Sequence, residues 1–141
     1  MSVQIADTDE KIVRCWDVIH ELRTHLVKEE FLHKVKQIQS EGGIMVFIEE
    51  DGNAVAAGVF RMNHYLVRGK NIYVDDLSTL PEYRSKGYGT KILDWIKQFA
   101  IENNCDNIHL DSGHARYPAH RLYLNYGFRI TSHHFVMDLK K

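Results

Sequence analysis

The segment Leu77-Ser78-Thr79-Leu80-Pro81-Glu82-Tyr83-Arg84-Ser85-Lys86-Gly87-Tyr88-Gly89-Thr90 gathers the residue types best suited to chemistry in this chain. A strand pattern ends, a proline bends the chain, and two glycines lead into a helical pattern. A helix start offers backbone N–H groups without internal partners and the positive end of the helix dipole, so it suits a pyrophosphate. Gly87 and Gly89 let the backbone approach such a group closely, and Arg84 and Lys86 add charge-assisted contacts. Two other phosphate motifs fail: GxxxxGK[ST] is absent, and Ile92 stands where a dinucleotide fingerprint needs its third glycine. Taken alone, a GxG at a helix start fits a tight turn with ordinary capping just as well.

Other reactive residue types point nowhere as a group. Cys15 and Cys105 lie too far apart in sequence for a redox pair and supply too few thiols for a zinc site, so both read as free thiols. The nine histidines match no common metal spacing; His133 and His134 are adjacent on a predicted strand and point to opposite faces, and His109, His114 and His120 fit no zinc pattern. No metal is expected.

The elements that must position this segment follow from hydropathy. Val3 to Ala6 reads as a short strand. Asp7 to Glu10 then caps a helix carrying Ile12, Trp16, Ile19 and Leu22, and a second helix carries Phe31, Leu32, Val35 and Ile38 before Gly42-Gly43 stops it. Ile44 to Ile48, then a turn at Asp51-Gly52, then residues 54–65 and 71–79 make a three-stranded meander. Residues 87–104 form a helix, 108–110 a strand, 118–126 a helix, and 128–139 a last strand. The order βααβββαβαβ predicts an α/β domain, a mixed central sheet flanked by helices.

Composition bounds the possibilities. With 141 residues, 44% of them apolar, the chain is long enough for one domain with a real core and too short for two, so residues 1–141 read as a single unit. Eighteen Lys and Arg against 19 Asp and Glu give a net charge of -1, which provides no general attraction to nucleic acid or to an anionic membrane. No apolar stretch approaches a membrane span, and the N-terminus lacks a basic-then-apolar leader, so a cytoplasmic protein is expected.

The loop resembles the cofactor loop of the GNAT superfamily of N-acetyltransferases, which reads [RQ]-x-x-G-x-[GA]. Arg84-Ser85-Lys86-Gly87-Tyr88-Gly89 matches every fixed position, and the family likeness extends to Asp76-Leu77, to Pro81-Glu82-Tyr83 and to Ala119-His120-Arg121-Leu122-Tyr123-Leu124-Asn125-Tyr126-Gly127-Phe128. The resemblance implies direct transfer of acetyl from acetyl-CoA to a primary amine, with a small molecule favoured as acceptor. A polyamine-like cation is one version of that acceptor. A protein N-terminus or lysine, or a non-catalytic acyl-CoA-binding module, are the alternatives. Homodimerisation is common in such folds and is an expectation on that ground alone.

The resemblance also assigns residues. Backbone N–H groups of Arg84, Ser85, Lys86, Gly87, Tyr88 and Gly89, with the Thr90 hydroxyl, would hold the pyrophosphate. Leu77, Ser78 and Thr79 would bond the pantetheine arm, one N–H polarising the thioester carbonyl. Tyr123, four residues before Gly127-Phe128, would protonate the departing thiolate, with Tyr117 and Tyr126 as nearby competitors. An ammonium must lose a proton before it attacks, so a base is needed. Asp75 and Asp76 lie on the strand leading to the thioester and are expected to alternate in direction, with Asp75 on the face of Leu77 and Thr79 and preferred as base. Asp76 would attract a cationic acceptor. Both acids also fit as solvated or paired strand residues. The likeness breaks at Arg116, where many relatives carry Asn, so that contact is not carried over.

Overall fold

The computed structural model describes residues 2–140. The chain divides into two units, Met1–Leu110 and Asp111–Lys141.

The first unit is built on one five-stranded sheet: β1 (Gln4–Ile5), β2 (Gly43–Glu50), β3 (Asn53–Tyr65), β4 (Gly69–Thr79) and β5 (Asn107–Leu110), in the spatial order β1-β2-β3-β4-β5. Pairing is antiparallel from β1 to β4, and β5 lies parallel to β4. Alternation along β2 sends Met45 and Phe47 to one face and Val46 and Ile48 to the other, which gives two buried layers. On the first, Ile12, Val18, Ile19, Phe31 and Val35 cover the sheet from α1 (Asp9–Arg14), α2 (Trp16–Leu22) and α3 (Lys28–Ser40). On the second, Ile92, Ile96 and Ala100 of α4 (Tyr88–Glu102) pack on Phe60, Ile72 and Val74.

The meander and both long helices lie close to the expected positions, whereas the first helix does not run unbroken to Leu22. It is capped as expected, with Thr8 Oγ1 accepting from the Lys11 N–H at 3.2 Å. It then breaks at Cys15. The Cys15 N–H bonds the Ile12 carbonyl at 2.9 Å, and the thiol donates to the Lys11 carbonyl at 3.4 Å. The side chain thus takes the acceptor that a continuous helix would give to the backbone. Cys15 is fully buried, and burial pushes its thiol up to about 12.

The expected alternation along β4 also fails at one point. Val59 of β3 faces Asp76, and Phe60 faces Val74, so Asp75 is an extra residue on β4, a β-bulge. The bulge reverses the phase of the strand: Ile72 and Val74 pack on the α4 layer, and so does Leu77.

In the second unit α5 (Tyr117–Tyr126) forms as predicted, with Pro118 in its first turn. It ends in a Schellman motif: Gly127 has φ +118, the Gly127 N–H reaches the Leu124 carbonyl at 3.2 Å, and the Phe128 N–H reaches the Tyr123 carbonyl at 3.0 Å. The strand expected over residues 128–139 does not form. Three consecutive apolar residues, Phe135, Val136 and Met137, break the period of two, and all three are exposed. Among the described residues no helix is long and apolar enough to cross a membrane.

Candidate active site

The last five residues of β4 are set apart from the rest of the sheet. β5 pairs with Asn71, Ile72, Tyr73 and Val74 and no further, while β3 continues opposite β4 to Thr79. The Leu80 N–H bonds the Val55 carbonyl at 2.9 Å, which fixes the phase of the ladder: Ser78 turns its backbone groups toward β3, and Leu77 and Thr79 turn theirs toward the side that β5 has left. Leu77 and Thr79 thus present backbone N–H groups along an edge, the arrangement expected for a pantetheine arm and a polarised carbonyl. Ser78 is buried, 7% exposed, and pairs with Ala57 of β3.

After Leu80 a 3-10 turn, Pro81–Tyr83, leads into the loop. Ser85 and Gly87 both have positive φ, +63 and +87. Gly87 is the N-cap of α4 and has no side chain to accept from the helix, and the first intrahelical bond there runs from the Lys91 N–H to the Gly87 carbonyl at 3.0 Å. The N–H groups of Tyr88, Gly89 and Thr90 precede it and keep their donor capacity. A Cβ built on Gly87 meets nothing within 4 Å, so the space beside this residue is open. Lys86 Nζ sits 5.3 Å from the centre of the Tyr83 ring and Lys91 Nζ 5.7 Å from that of Tyr88, which holds two cations beside the loop. Directed donors, open space and clustered cations fit the pyrophosphate of a CoA thioester.

Two loop residues have duties beyond those expected. The Tyr88 side chain is buried in the α4 layer, leaving only its backbone to serve a ligand. Arg84 is held by protein groups: Nε donates to the Thr79 carbonyl at 3.1 Å and Nη2 to Glu21 of α2 at 3.3 Å.

At the other end of this β4 segment both acids are paired. Asp75 Oδ2 accepts from Arg61 Nε at 2.9 Å, and Asp76 Oδ1 accepts from Arg23 Nε at 2.7 Å; Arg23 Nη2 also donates to the Asp75 carbonyl at 3.0 Å. Arg61 lies on β3 two residues from Val59, on the face covered by α1 to α3, and Arg23 caps α2. The bulge therefore turns both carboxylates toward the same helical layer. Asp75 does not share the face of Leu77, as strict alternation had implied. Burial pushes the Asp75 carboxyl above its usual value, against the opposing pull of Arg61.

Sequence reasoning missed Glu21, Arg23 and Arg61. Nothing local marks the first two, since their partners are more than 50 residues away. Arg61 did leave a trace: it is the charged residue that ends the apolar run from Ala54 to Phe60.

In the second unit the Tyr123 ring meets Phe128 edge-on with centroids 5.8 Å apart. Its carbonyl is held by the Schellman bond, so backbone and ring are both fixed by the helix end. Tyr126 leans on the same Phe128 ring, and Tyr117 contacts His120. His120 bonds the Gly113 carbonyl and His134 pairs with Asp111. Among the described residues no three His, Cys, Asp or Glu side chains gather as a metal site.

Comparison with known proteins identifies the family. Residues 7–128 match the model of the Acetyltransferase (GNAT) family. The chain is 30% identical over 128 residues to the uncharacterized N-acetyltransferase YhdJ of Bacillus subtilis (strain 168), covering 89% of this chain and 90% of that protein. Its fold is similar to glucosamine-6-phosphate N-acetyltransferase from Arabidopsis thaliana (TM-score 0.80, 19% identity, 99% of this chain and 98% of that one). It is similar in the same way to the aminoglycoside N-acetyltransferase AAC(6')-Iy in complex with CoA (TM-score 0.80, 15% identity, 99% and 94%). With the family model matched over residues 7–128 and a relative 30% identical over most of both chains, the chain belongs to the GNAT family of acetyltransferases.

Proposed function

We propose that the protein transfers acetyl directly from acetyl-CoA to a primary amine of a small molecule, within one catalytic domain formed by residues 1–141. The observation that carries this reading is the β4 segment of residues 75–79, with edge-facing N–H groups at one end and a carboxylate of raised pKa at the other. Proteins of similar fold, one named a glucosamine-6-phosphate N-acetyltransferase and one an aminoglycoside N-acetyltransferase in complex with CoA, support an amine acceptor.

Acetyl-CoA, when bound, supplies an acyl group already activated as a thioester. The N–H groups of Tyr88, Gly89 and Thr90, with Lys86 and Lys91 beside them, hold the pyrophosphate. Leu77 and Thr79 align the pantetheine arm, and one of their N–H groups stabilises the negative charge that develops on the carbonyl oxygen. Asp75 takes the proton from the acceptor ammonium, directly or through water; its raised pKa brings its basicity closer to neutral pH. Tyr123 donates its hydroxyl proton to the departing thiolate. Asp76, bound to Arg23, holds the strand.

The polyamine-like acceptor loses its motive, because the acid pair that was to attract a polycation is already matched by two arginines. Two measurements test the main reading. Acetyl-CoA at about 100 times its dissociation constant should stabilise the fold by about 2.7 kcal/mol. A panel of primary amines should then release CoA thiol in an amine-dependent way; binding without release on any amine sinks the enzyme reading and leaves a CoA-binding module.

A further inference from the structure

A guanidinium carries five N–H donors in a planar fork that matches a carboxylate. Arg61 spends one of them, Nε, on Asp75 Oδ2 at 2.9 Å, and among the described residues its two Nη groups meet no acceptor. The contact is single-pronged, and the side chain is 31% exposed, so the fork is neither saturated nor sealed. Arg23 differs: it uses Nε on Asp76 and Nη2 on the Asp75 backbone, which fixes it as part of the strand. The two arginines cancel the formal charge of the two acids. The patch therefore has no net field for a polycation, yet it keeps an open guanidinium fork directly beside the candidate base.

Resting on the proposed acetyl transfer, we propose that Arg61 selects the acceptor, its free Nη groups taking the carboxylate of an amine that carries its own acid, as an amino acid does. One small molecule then meets both members of the pair: its acid lies on Arg61 and its amine beside Asp75. The guanidinium also disfavours a second positive charge near the amine, which helps the ammonium to lose its proton.

L-lysine and 1,5-diaminopentane differ by the carboxylate alone and make the test. Each is titrated by calorimetry into the protein saturated with CoA. L-lysine should bind at least about tenfold more tightly, a gain expected of a charge-assisted fork contact. Arg61→Gln should erase the difference, and Arg61→Lys, which keeps the charge without the fork, should keep part of it. Equal or tighter binding of the diamine, no binding of either, or a lysine preference that survives Arg61→Gln overturns the proposal. If Arg61→Gln does not fold, the wild-type comparison and Arg61→Lys decide. Thiol release from acetyl-CoA is followed in parallel, so a lysine preference in binding with no turnover on any amine removes acetyl transfer and leaves the carboxylate site standing.

Discussion

One guanidinium holds both sides of the β4 bulge: Arg23 lies 2.7 Å from the Asp76 carboxylate through Nε and 3.0 Å from the Asp75 carbonyl through Nη2. Two residues before it, Glu21 reaches Arg84, whose Nε in turn caps the Thr79 carbonyl. The end of α2 therefore grips the strand segment at its first residue and at its last. Arg23→Gln should cost about 1 kcal/mol, the net worth of a half-exposed charged contact, and should lower kcat/KM by more than that loss explains. Urea unfolding paired with steady-state rates checks this. Arg23→Lys should not restore activity, since one ammonium does not reproduce a fork across two acceptors.

The acid limb of kcat/KM should belong to Asp75. Burial raises its pKa above the ordinary 3.8, and a base works only when ionised, so the rate should fall as pH drops through that raised value. Removing the opposing charge with Arg61→Gln should move the limb further up, and Asp75→Asn should abolish it along with most of the rate.

Stability should show the same group with the opposite sense. A carboxyl whose folded pKa is raised binds more protons in the native state than in the unfolded one, so stability should decline as pH rises from about 3.8 through the folded value and then level off. Denaturation across that window, compared with Asp75→Asn, isolates the slope.

Gly87→Ala separates loop geometry from space. The Cβ meets nothing, yet φ is +87, so the cost should be about 1–2 kcal/mol of backbone strain with the fold retained. Relief of that strain re-aims the Tyr88 and Gly89 N–H groups, and the affinity for CoA should fall about tenfold by calorimetry. Unchanged affinity would mean that these donors do not hold the pyrophosphate.

Tyr123→Phe keeps the ring that meets Phe128 and leaves the Schellman bonds untouched. The fold should be retained and CoA binding should be unchanged. If the hydroxyl protonates the thiolate, kcat should fall about a hundredfold, most steeply with thiols of high pKa as leaving groups.

Legibility in the sequence followed the range of the interactions. Gly87, the helix after it and the strand before it are local patterns, and they stand where hydropathy and turn chemistry place them. The bulge is not local. Whether Asp75 is an extra residue depends on how β3 registers against β4, so alternation read along one strand put the acid on the wrong face. The arginine partners of both acids were hidden for the same reason. Cys15 shows a subtler failure: its apolar neighbours keep helical spacing, but a thiol competing for one carbonyl breaks the helix without disturbing the periodicity. In residues 128–139 partial alternation suggested a strand, but the consecutive apolar Phe135, Val136 and Met137 interrupt the period of two and no strand forms.

The burial of Cys15 makes the protein a single-thiol molecule for chemical purposes. With its thiol near 12 and no solvent contact, it supplies almost no thiolate at neutral pH, which leaves half-buried Cys105 as the one site open to alkylation. Cys105 follows the C-terminus of α4, a 15-residue helix and so about 22 Å long, whose N-terminus carries the loop donors. A fluorophore attached there needs no cysteine-free background, and it reports from the far end of the same helix whose first turn is proposed to hold the pyrophosphate.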